Sequence, residues 1–317
     1  KENIVAILDA ARDKQSQAEE LSTKAGFKLN DLQKAQKKTY KKQKRILLHE
    51  INKQQRHLSV KAFFETTHDH LMKMQPVWVM NPLTVSENLP CIKDLFDVII
   101  FDESSQIPLE DAVPAIYRAK QVVVVGDSKQ MPPSAFFTSR EDTKTILDQG
   151  EQVYTNKMLK WHYRSHHPDL IHFSNLEFYN GDLLTLPPKL SKCPIEVQYV
   201  EGNYAAGKNE LEAKQLALYC QNNLSNKTKS VLIIGFSQEQ EKEIRRQLKG
   251  LKLDLDDQII TRNLENAQGI EADLVLVSLG YGKNEKGEFR LNFGPVNQLN
   301  GANRLNVMFT RAIEKMV

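Results

Sequence analysis

A chain of 317 residues with 40% apolar content is long enough for about two domains with real cores. The 43 Lys and Arg against 40 Asp and Glu leave an unevenly spread net charge of +3, and no apolar run approaches the roughly 18 residues of a membrane span. The N-terminus lacks a signal-peptide pattern, and Cys91, Cys193 and Cys220 stand far apart with no CxxC pair, so neither a disulfide framework nor a zinc site is indicated. The expectation is a soluble chain in a reducing cytosol with buried thiols.

Lys1 to about Leu58 is rich in Lys, Gln and Ala, has no Pro, and carries Ile4, Leu8, Ala11, Leu32, Leu47 and Ile51 at helical spacing. This predicts two long helices broken near Gly26, the second starting at Asn30 or Asp31. The second is strongly basic, with Lys34, Lys37, Lys38, Lys41, Lys42, Lys44 and Arg45 in close succession. Such a stripe is either the solvated face of a coiled-coil arm or a phosphate-contacting surface whose binding would depend on salt. Lys37, Lys41 and Lys44 are the candidates for the second role. Next, Val77 to Met80 reads as a short buried strand, ended by Asn81-Pro82-Leu83-Thr84, with Thr84 or Ser86 able to cap a following helix.

The most informative stretch runs from Phe96 to Phe137. Val98 to Phe101 is an unbroken apolar run, which suits a strand of a parallel sheet buried on both faces, and Asp102 and Glu103 follow at its carboxyl end. In such sheets that end faces a ligand crevice. A second run, Val122 to Val125, ends in Gly126 and Asp127, with Gln130 just beyond, so that adjacent strands would present Asp102, Glu103 and Gln130 to one place. Phosphoryl transfer needs an acid to hold magnesium and a group to orient the attacking water. Asp102 is the metal candidate, Glu103 the base and Gln130 a sensor of the terminal phosphate, against the simpler reading that the acidic pair caps the next helix.

Thr138 to Lys157 is polar and reads as a connector containing a domain boundary. The expected organisation is a Lys-rich helical arm over 1–60, the distal part of one α/β domain over 61–150, and a second over 151–317. His162, His166 and His167 invite a metal reading, but no Cys or acid stands at ligand spacing from them. Ile195 to Val200 alternates like a strand. Gly202 to Asn209 then reproduces the spacing G-x-x-x-x-G-K of a phosphate loop. It is rejected as such, because Asn209 lacks the hydroxyl that magnesium requires, and Asn209 with Glu212 has the spacing of a helix-capping pair. A helix from Glu210 to about Leu224, a buried strand Val231 to Gly235, a helix Ser237 to Lys249 and a strand Leu274 to Leu279 predict a second parallel sheet. Met316 and Val317 read as the start of a further strand of that sheet.

DESSQ at 102–106 and GDSKQMPP at 126–133, in this order and separation, resemble motifs II and III of superfamily 1 helicases, in particular the branch of the nonsense-decay RNA helicase and its bacterial relatives. Further matches follow in order: Leu159 to Pro187 resembles motif IV, TRNLENAQGIEAD at 261–273 motif V, and Gly301 to Ala312 motif VI. NPLTVSENLP and FGPVNQLNGANRLNV add two more, so that the resemblance covers about Val77 to Ala312. It implies two RecA-like α/β domains with ATP and Mg²⁺ between them, moving along single-stranded or partly duplex nucleic acid in the bacterial cytosol. It also implies movement in the 5′ to 3′ direction. Tyr163 would stack on the base, and Arg164 and Arg311 would reach the γ-phosphate as arginine fingers. Gln268, Gly269 and Glu271 would contact ribose and phosphate, Gln106 and Asp127 would complete the nucleotide site, and Pro82 and Thr84 would line the strand channel. Arg304, on a similar helical face to Arg311, is an equally good surface cation.

The family's phosphate loop should precede motif II, yet nothing between Lys1 and Phe96 reads G-x-x-x-x-G-K. The expectation is a piece of a longer protein that binds ATP poorly by itself. Two rival readings are a helicase-like scaffold that holds nucleic acid without hydrolysing ATP, and a magnesium-dependent nuclease using Asp102 and Glu103.

Overall fold

A computed structural model describes residues 31–133, 144–187, 193–224, 230–253 and 258–317. The first of the two expected N-terminal helices lies outside these residues. Two compact units emerge: residues up to Phe96 with Pro114–Ala119, and Asp97–Val113 with Lys120–Val317.

In the first unit α1 (Asp31–Asn52) and α2 (Val60–Met74) pack as a hairpin. Gln43 holds them together, donating through Nε2 to Asp69 at 3.0 Å and accepting the His70 amide at 2.8 Å. Tyr40 packs on the His70 ring, and the Lys73 ammonium lies over the Tyr40 ring, 4.9 Å from its centroid. Lys37, Lys41 and Lys44 are exposed on α1. The expected strand at Val77–Met80 is absent: the segment is irregular and Val79 is 95% exposed, while Trp78 turns inward to meet Phe64 edge-on at 5.1 Å. A four-residue apolar run that buries one large ring does not need a ladder. The helix after it, α3 (Pro82–Asn88), is capped by Asn81, which accepts the Thr84 amide at 2.7 Å, so neither Thr84 nor Ser86 is the cap.

Strands β1 (Phe96–Phe101) and β2 (Ala119–Val124) pair, with α4 (Leu109–Tyr117) between them in sequence. Bonds from the Phe96 amide to Arg118 and from the Val125 amide to Phe101 run in the same order along both strands, so the pair is parallel. The expectation that β1 is buried on both faces fails. Ile100 is 65% exposed, and Val98, Val123 and Val125 are exposed too, because a two-stranded ribbon covers little of its own apolar surface. The expected connector is partly helical: α5 (Ile146–Val153) begins at a capping box of Thr145 and Asp148 and buries Ile146 and Leu147.

The core of the second unit is a four-stranded parallel sheet in the order β6-β5-β7-β8, formed by β5 (Val231–Gly235), β6 (Ile259–Asn263), β7 (Ala272–Ser278) and β8 (Ala312–Met316). A minor parallel pair, β3 (Trp161–His162) with β4 (Leu184–Thr185), flanks α6 (Asp169–Tyr179) in sequence. All five residues of β5 are buried, as an uninterrupted Val-Leu-Ile-Ile-Gly run in a central strand should be. On one face Ala213, Ala217 and Cys220 of α7 (Glu210–Asn223) and Ile244 and Leu248 of α8 (Gln238–Gly250) meet Ile233 and Leu276. On the other, Leu232, Ile234 and Val275 pack with Leu170 of α6 and Met308 of α9 (Gly301–Phe309). The alternating segment Ile195–Val200 is not a strand. It makes one bridge, Ile195 to Met316, and leaves Val197 and Tyr199 in solvent. The cysteines also differ from expectation, since Cys220 is buried but Cys91 and Cys193 are exposed.

One buried polar side chain joins the ends of this layer. Gln240, 1% exposed, accepts the Asn209 amide at 2.7 Å and donates through Nε2 to the Ser278 hydroxyl at 2.8 Å and the Asn209 carbonyl at 3.2 Å. Glu212 accepts hydrogen bonds from the Ser278 hydroxyl at 2.8 Å and the Gly280 amide at 3.0 Å. Asn209 caps α7 by accepting the Glu212 amide, while Lys208 ion-pairs with Glu210 and Glu243. The apparent phosphate-loop spacing is thus filled by a helix start and its neighbours' charges. Gln240→Leu should cost about 1–3 kcal/mol for each buried group it strands, seen as a lower urea midpoint at unchanged slope. An unchanged midpoint would refute this account of the junction.

Candidate functional site

The site lies in the second unit, where the loops that follow β1, β2 and β6 meet the segments that carry Arg164 and Arg311. After β1 the chain turns sharply. Glu103 adopts a left-handed backbone conformation (φ 51°), which costs a non-glycine residue about 1 kcal/mol or more, and a 3₁₀ turn Ser104–Gln106 follows. The turn exposes both carboxylates and buries Ser104 and Ser105 behind them. Asp102 accepts the Glu103 amide at 2.9 Å. Gly126 lies against this turn: a Cβ there would strike the Ser104 hydroxyl and come within 3.1 Å of the Ser105 nitrogen.

Asp127 organises the next loop. Its Oδ1 accepts the Lys129 amide at 2.9 Å, and its Oδ2 accepts Gln130 Nε2 at 3.0 Å and the Tyr179 hydroxyl at 2.6 Å. Asn306 donates through Nδ2 to the Lys129 carbonyl and to the Tyr179 oxygen, both at 2.9 Å, and Asn303 donates to the Gln130 carbonyl at 2.7 Å. Tyr179, Asn303 and Asn306 were not singled out from the sequence. The signal available was the spacing of Asn300, Asn303 and Asn306, which repeats every three residues along one helical face.

Gln268 reaches back to the acidic pair, its Nε2 donating to Glu103 Oε2 at 3.2 Å. It follows β6 through a short 3₁₀ turn, and Gly269 after it takes φ 76°, the left-handed region that glycine enters without cost. Gln106 stands at the edge of hydrogen-bond range of the same carboxylate oxygen, 3.5 Å away. Arg164 ion-pairs through Nε with Glu271 and reaches the Thr310 carbonyl at 3.4 Å. Tyr163 beside it is 84% exposed. Arg311 lies past the end of α9 and is only 2% exposed. Its Nε donates to the Val307 carbonyl and its NH2 to the Thr310 hydroxyl, both at 2.8 Å. Burial and the neighbouring Arg164 charge bring its pKa down to about 10, against the opposing pull of Glu103 and Glu271. Arg304 faces elsewhere, pairing with Glu265 at 2.6 Å. Pro82, Thr84 and the α1 lysines belong to the first unit.

The exposed Asp102 and Glu103 carboxylates are oxygen donors of the kind that suits a hard cation such as Mg²⁺. Among the described residues no three His, Cys, Asp or Glu gather as a metal cluster. Mg²⁺ bound by one or two carboxylates plus substrate phosphate needs no such cluster. An 800 Å³ cleft adjoins the site, lined by Asp127, Gln130, Trp161, Arg164 and Tyr179 among others.

Residues 191–317 match a family described as an AAA domain. An uncharacterized ATP-dependent helicase of Mycoplasma genitalium is 27% identical over 293 residues, covering 80% of this chain and 26% of that protein. A second uncharacterized ATP-dependent helicase, from Methanocaldococcus jannaschii, is 24% identical over 251 residues, 70% of this chain and 35% of its own. The chain is similar in sequence to proteins named as ATP-dependent helicases. Helicase SEN1 of Saccharomyces cerevisiae extends the relationship to eukaryotes, at 26% identity over 250 residues, 68% of this chain and 11% of SEN1. The chain spans about a quarter of the length of the Mycoplasma relatives it matches. Among the described residues of this helicase relative, no helix is long and apolar enough to cross a membrane.

Two outcomes follow from the geometry. Gly126→Ala should destabilise the chain by about 1–3 kcal/mol through overpacking against Ser104 and Ser105, measured by denaturant unfolding; wild-type stability would refute the contact. His162, whose Nε2 accepts the Ser165 amide at 3.2 Å, has its pKa lowered from 6.5 to about 4 by burial and by Arg164. The unfolded chain takes up that proton first, so the stabilisation is complete above pH 6.5 and is lost as pH falls toward 4. The wild-type unfolding midpoint should therefore drop more steeply over that range than that of His162→Gln, and parallel curves would contradict it.

Proposed function

We propose that this chain is part of an ATP-driven motor on single-stranded nucleic acid, DNA more than RNA, in the bacterial cytoplasm. Residues 61–150 and 151–317 contribute to two RecA-like domains and residues 1–60 to a basic arm. The observation that supports the reading is the hydrogen bond from Gln268 to Glu103 beside the Arg164–Glu271 ion pair, which gathers carboxylates, amides and guanidinium groups where a triphosphate would need them. Asp102 would hold Mg²⁺, which supplies charge neutralisation of the phosphate oxygens. Glu103 would take the proton of the attacking water, held in place by Gln268, and Gln130 would sense the terminal phosphate. Arg164 would exchange Glu271 for phosphate as substrate enters, and Tyr163, already in solvent, would offer a stacking face to the base. Arg311 would have to release the Val307 carbonyl to act as a second finger. Gln106, Asp127, Gly269 and Glu271 would shape the nucleotide pocket, while Pro82, Thr84, Lys37, Lys41 and Lys44 would contact the strand.

The buried, internally bonded Arg311 favours a second reading, a scaffold that binds nucleic acid without turnover. The chain contains no G-x-x-x-x-G-K followed by Ser or Thr, and by itself it is proposed to hydrolyse ATP poorly, so the discriminating experiment uses the full-length protein. Strand-stimulated ATP hydrolysis is expected, falling about 10²- to 10⁴-fold in Glu103→Gln and about 10³-fold or more in Arg164→Ala. Full-length protein that binds single strands but shows no hydrolysis would favour the scaffold.

A further inference from the structure

Tyr179 sits at the last position of α6, with no place in the chemistry outlined above, yet its hydroxyl is the meeting point of three segments far apart in sequence. It donates to Asp127 Oδ2 at 2.6 Å and accepts from Asn306 Nδ2 at 2.9 Å, so its single oxygen is used both ways. The Asp127 oxygen it contacts is the one that orients the Gln130 side chain at 3.0 Å. Asn306, fully buried, also grips the Lys129 carbonyl, and Asn303 grips that of Gln130. The loop 127–130 is therefore fastened through side chain and backbone to α6 and α9, while β2, the strand it grows from, leads to it from elsewhere in the chain. Asn306 lies in the same helix whose Val307 carbonyl anchors Arg311, one residue further on. Direct hydrogen bonds thus connect the loop to the helix whose end holds Arg311. Burial and the Asp127 charge raise the phenol pKa, so the hydroxyl remains protonated and keeps its donor role.

We propose that Tyr179 is a positioning residue: with Asp127 as intermediary it sets the Gln130 side chain, and with Asn306 it ties that side chain to the helix leading to Arg311. This rests on the reading of Gln130 as the sensor of the terminal phosphate.

The test uses the full-length protein and compares wild type, Tyr179→Phe, Gln130→Ala and the double variant in strand-stimulated ATP hydrolysis. Tyr179→Phe keeps the ring and removes only the two hydrogen bonds. Its kcat should fall about 10-fold, the size expected for losing a hydrogen bond to a charged group, with KM for ATP within about twofold. The double variant should be no slower than Gln130→Ala by more than about twofold, since a residue acting through Gln130 has nothing to act on once the amide is gone. Multiplied single effects, or a Tyr179→Phe rate equal to wild type, would overturn the inference while leaving the motor reading intact. Absence of hydrolysis in the wild type overturns the motor reading and this role with it. Should Tyr179→Phe fail to fold, Asn306→Ala enters the same cycle from the other side of the hydroxyl, with the same expected non-additivity and the same refutation.

Discussion

The Asp127 carboxylate is the interaction on which the assembly of the site depends. One acid accepts a backbone amide of its own loop, the amide of Gln130 and the phenol of Tyr179, and so fixes a four-residue loop that has no regular structure of its own. Hydrogen bonds to an ionised acceptor are about twice as strong as neutral ones, and three of them around one group make the loop a rigid extension of β2. The two asparagines of α9 then secure the carbonyl side of the loop, which the carboxylate cannot reach. Loops usually carry function because a scaffold holds them; here the scaffold acts through a handful of polar side chains.

The same logic, a polar group satisfied from several segments at once, recurs on the far side of the sheet at Gln240. There it locks the starts of α7 and α8 to the end of β7 and has no visible chemistry. The contrast between the two is exposure. Gln240 is sealed, whereas Glu103, Tyr163 and Glu271 stand in solvent around a backbone turn held in a strained conformation. The strain at Glu103 is a cost that folding alone does not explain, and it falls where the carboxylates, Gln268 and Arg164 gather. Both arginines are engaged within the chain: Arg164 pairs with Glu271, and Arg311 folds back on its own helix end.

Legibility in the sequence tracked how local the governing physics was. The β5 run and helices α7 and α8 were readable within a residue or two, because periodicity and N-caps such as Asn209 and Ser237 act over a few positions. Val77–Met80 and Ile195–Val200 were misread because a short apolar or alternating pattern says nothing of whether a partner strand stands beside it. The exposure of Val98 and Ile100 has the same origin, since burial of a strand depends on what other segments cover it. Tyr179, Asn303 and Asn306 escaped notice because a tyrosine or asparagine at a helix end is ordinary until the group it touches, over a hundred positions away for Asn306 and Lys129, is known.

By itself the amino-acid order determined the α/β class, the parallel second sheet, the placing of acids after β1 and the succession of motifs shared with superfamily 1 helicases, all of which follow from side-chain type and short-range spacing. Only the tertiary structure decided that Gln268 meets Glu103, that Glu271 holds Arg164, that Arg311 is buried and that Tyr179 joins α6 to the loop after β2. Those are contacts between segments distant along the chain. A hydrogen bond or an ion pair depends on ångström-scale distance and direction, and the spacing of residues along a strand or helix does not carry that information across a fold.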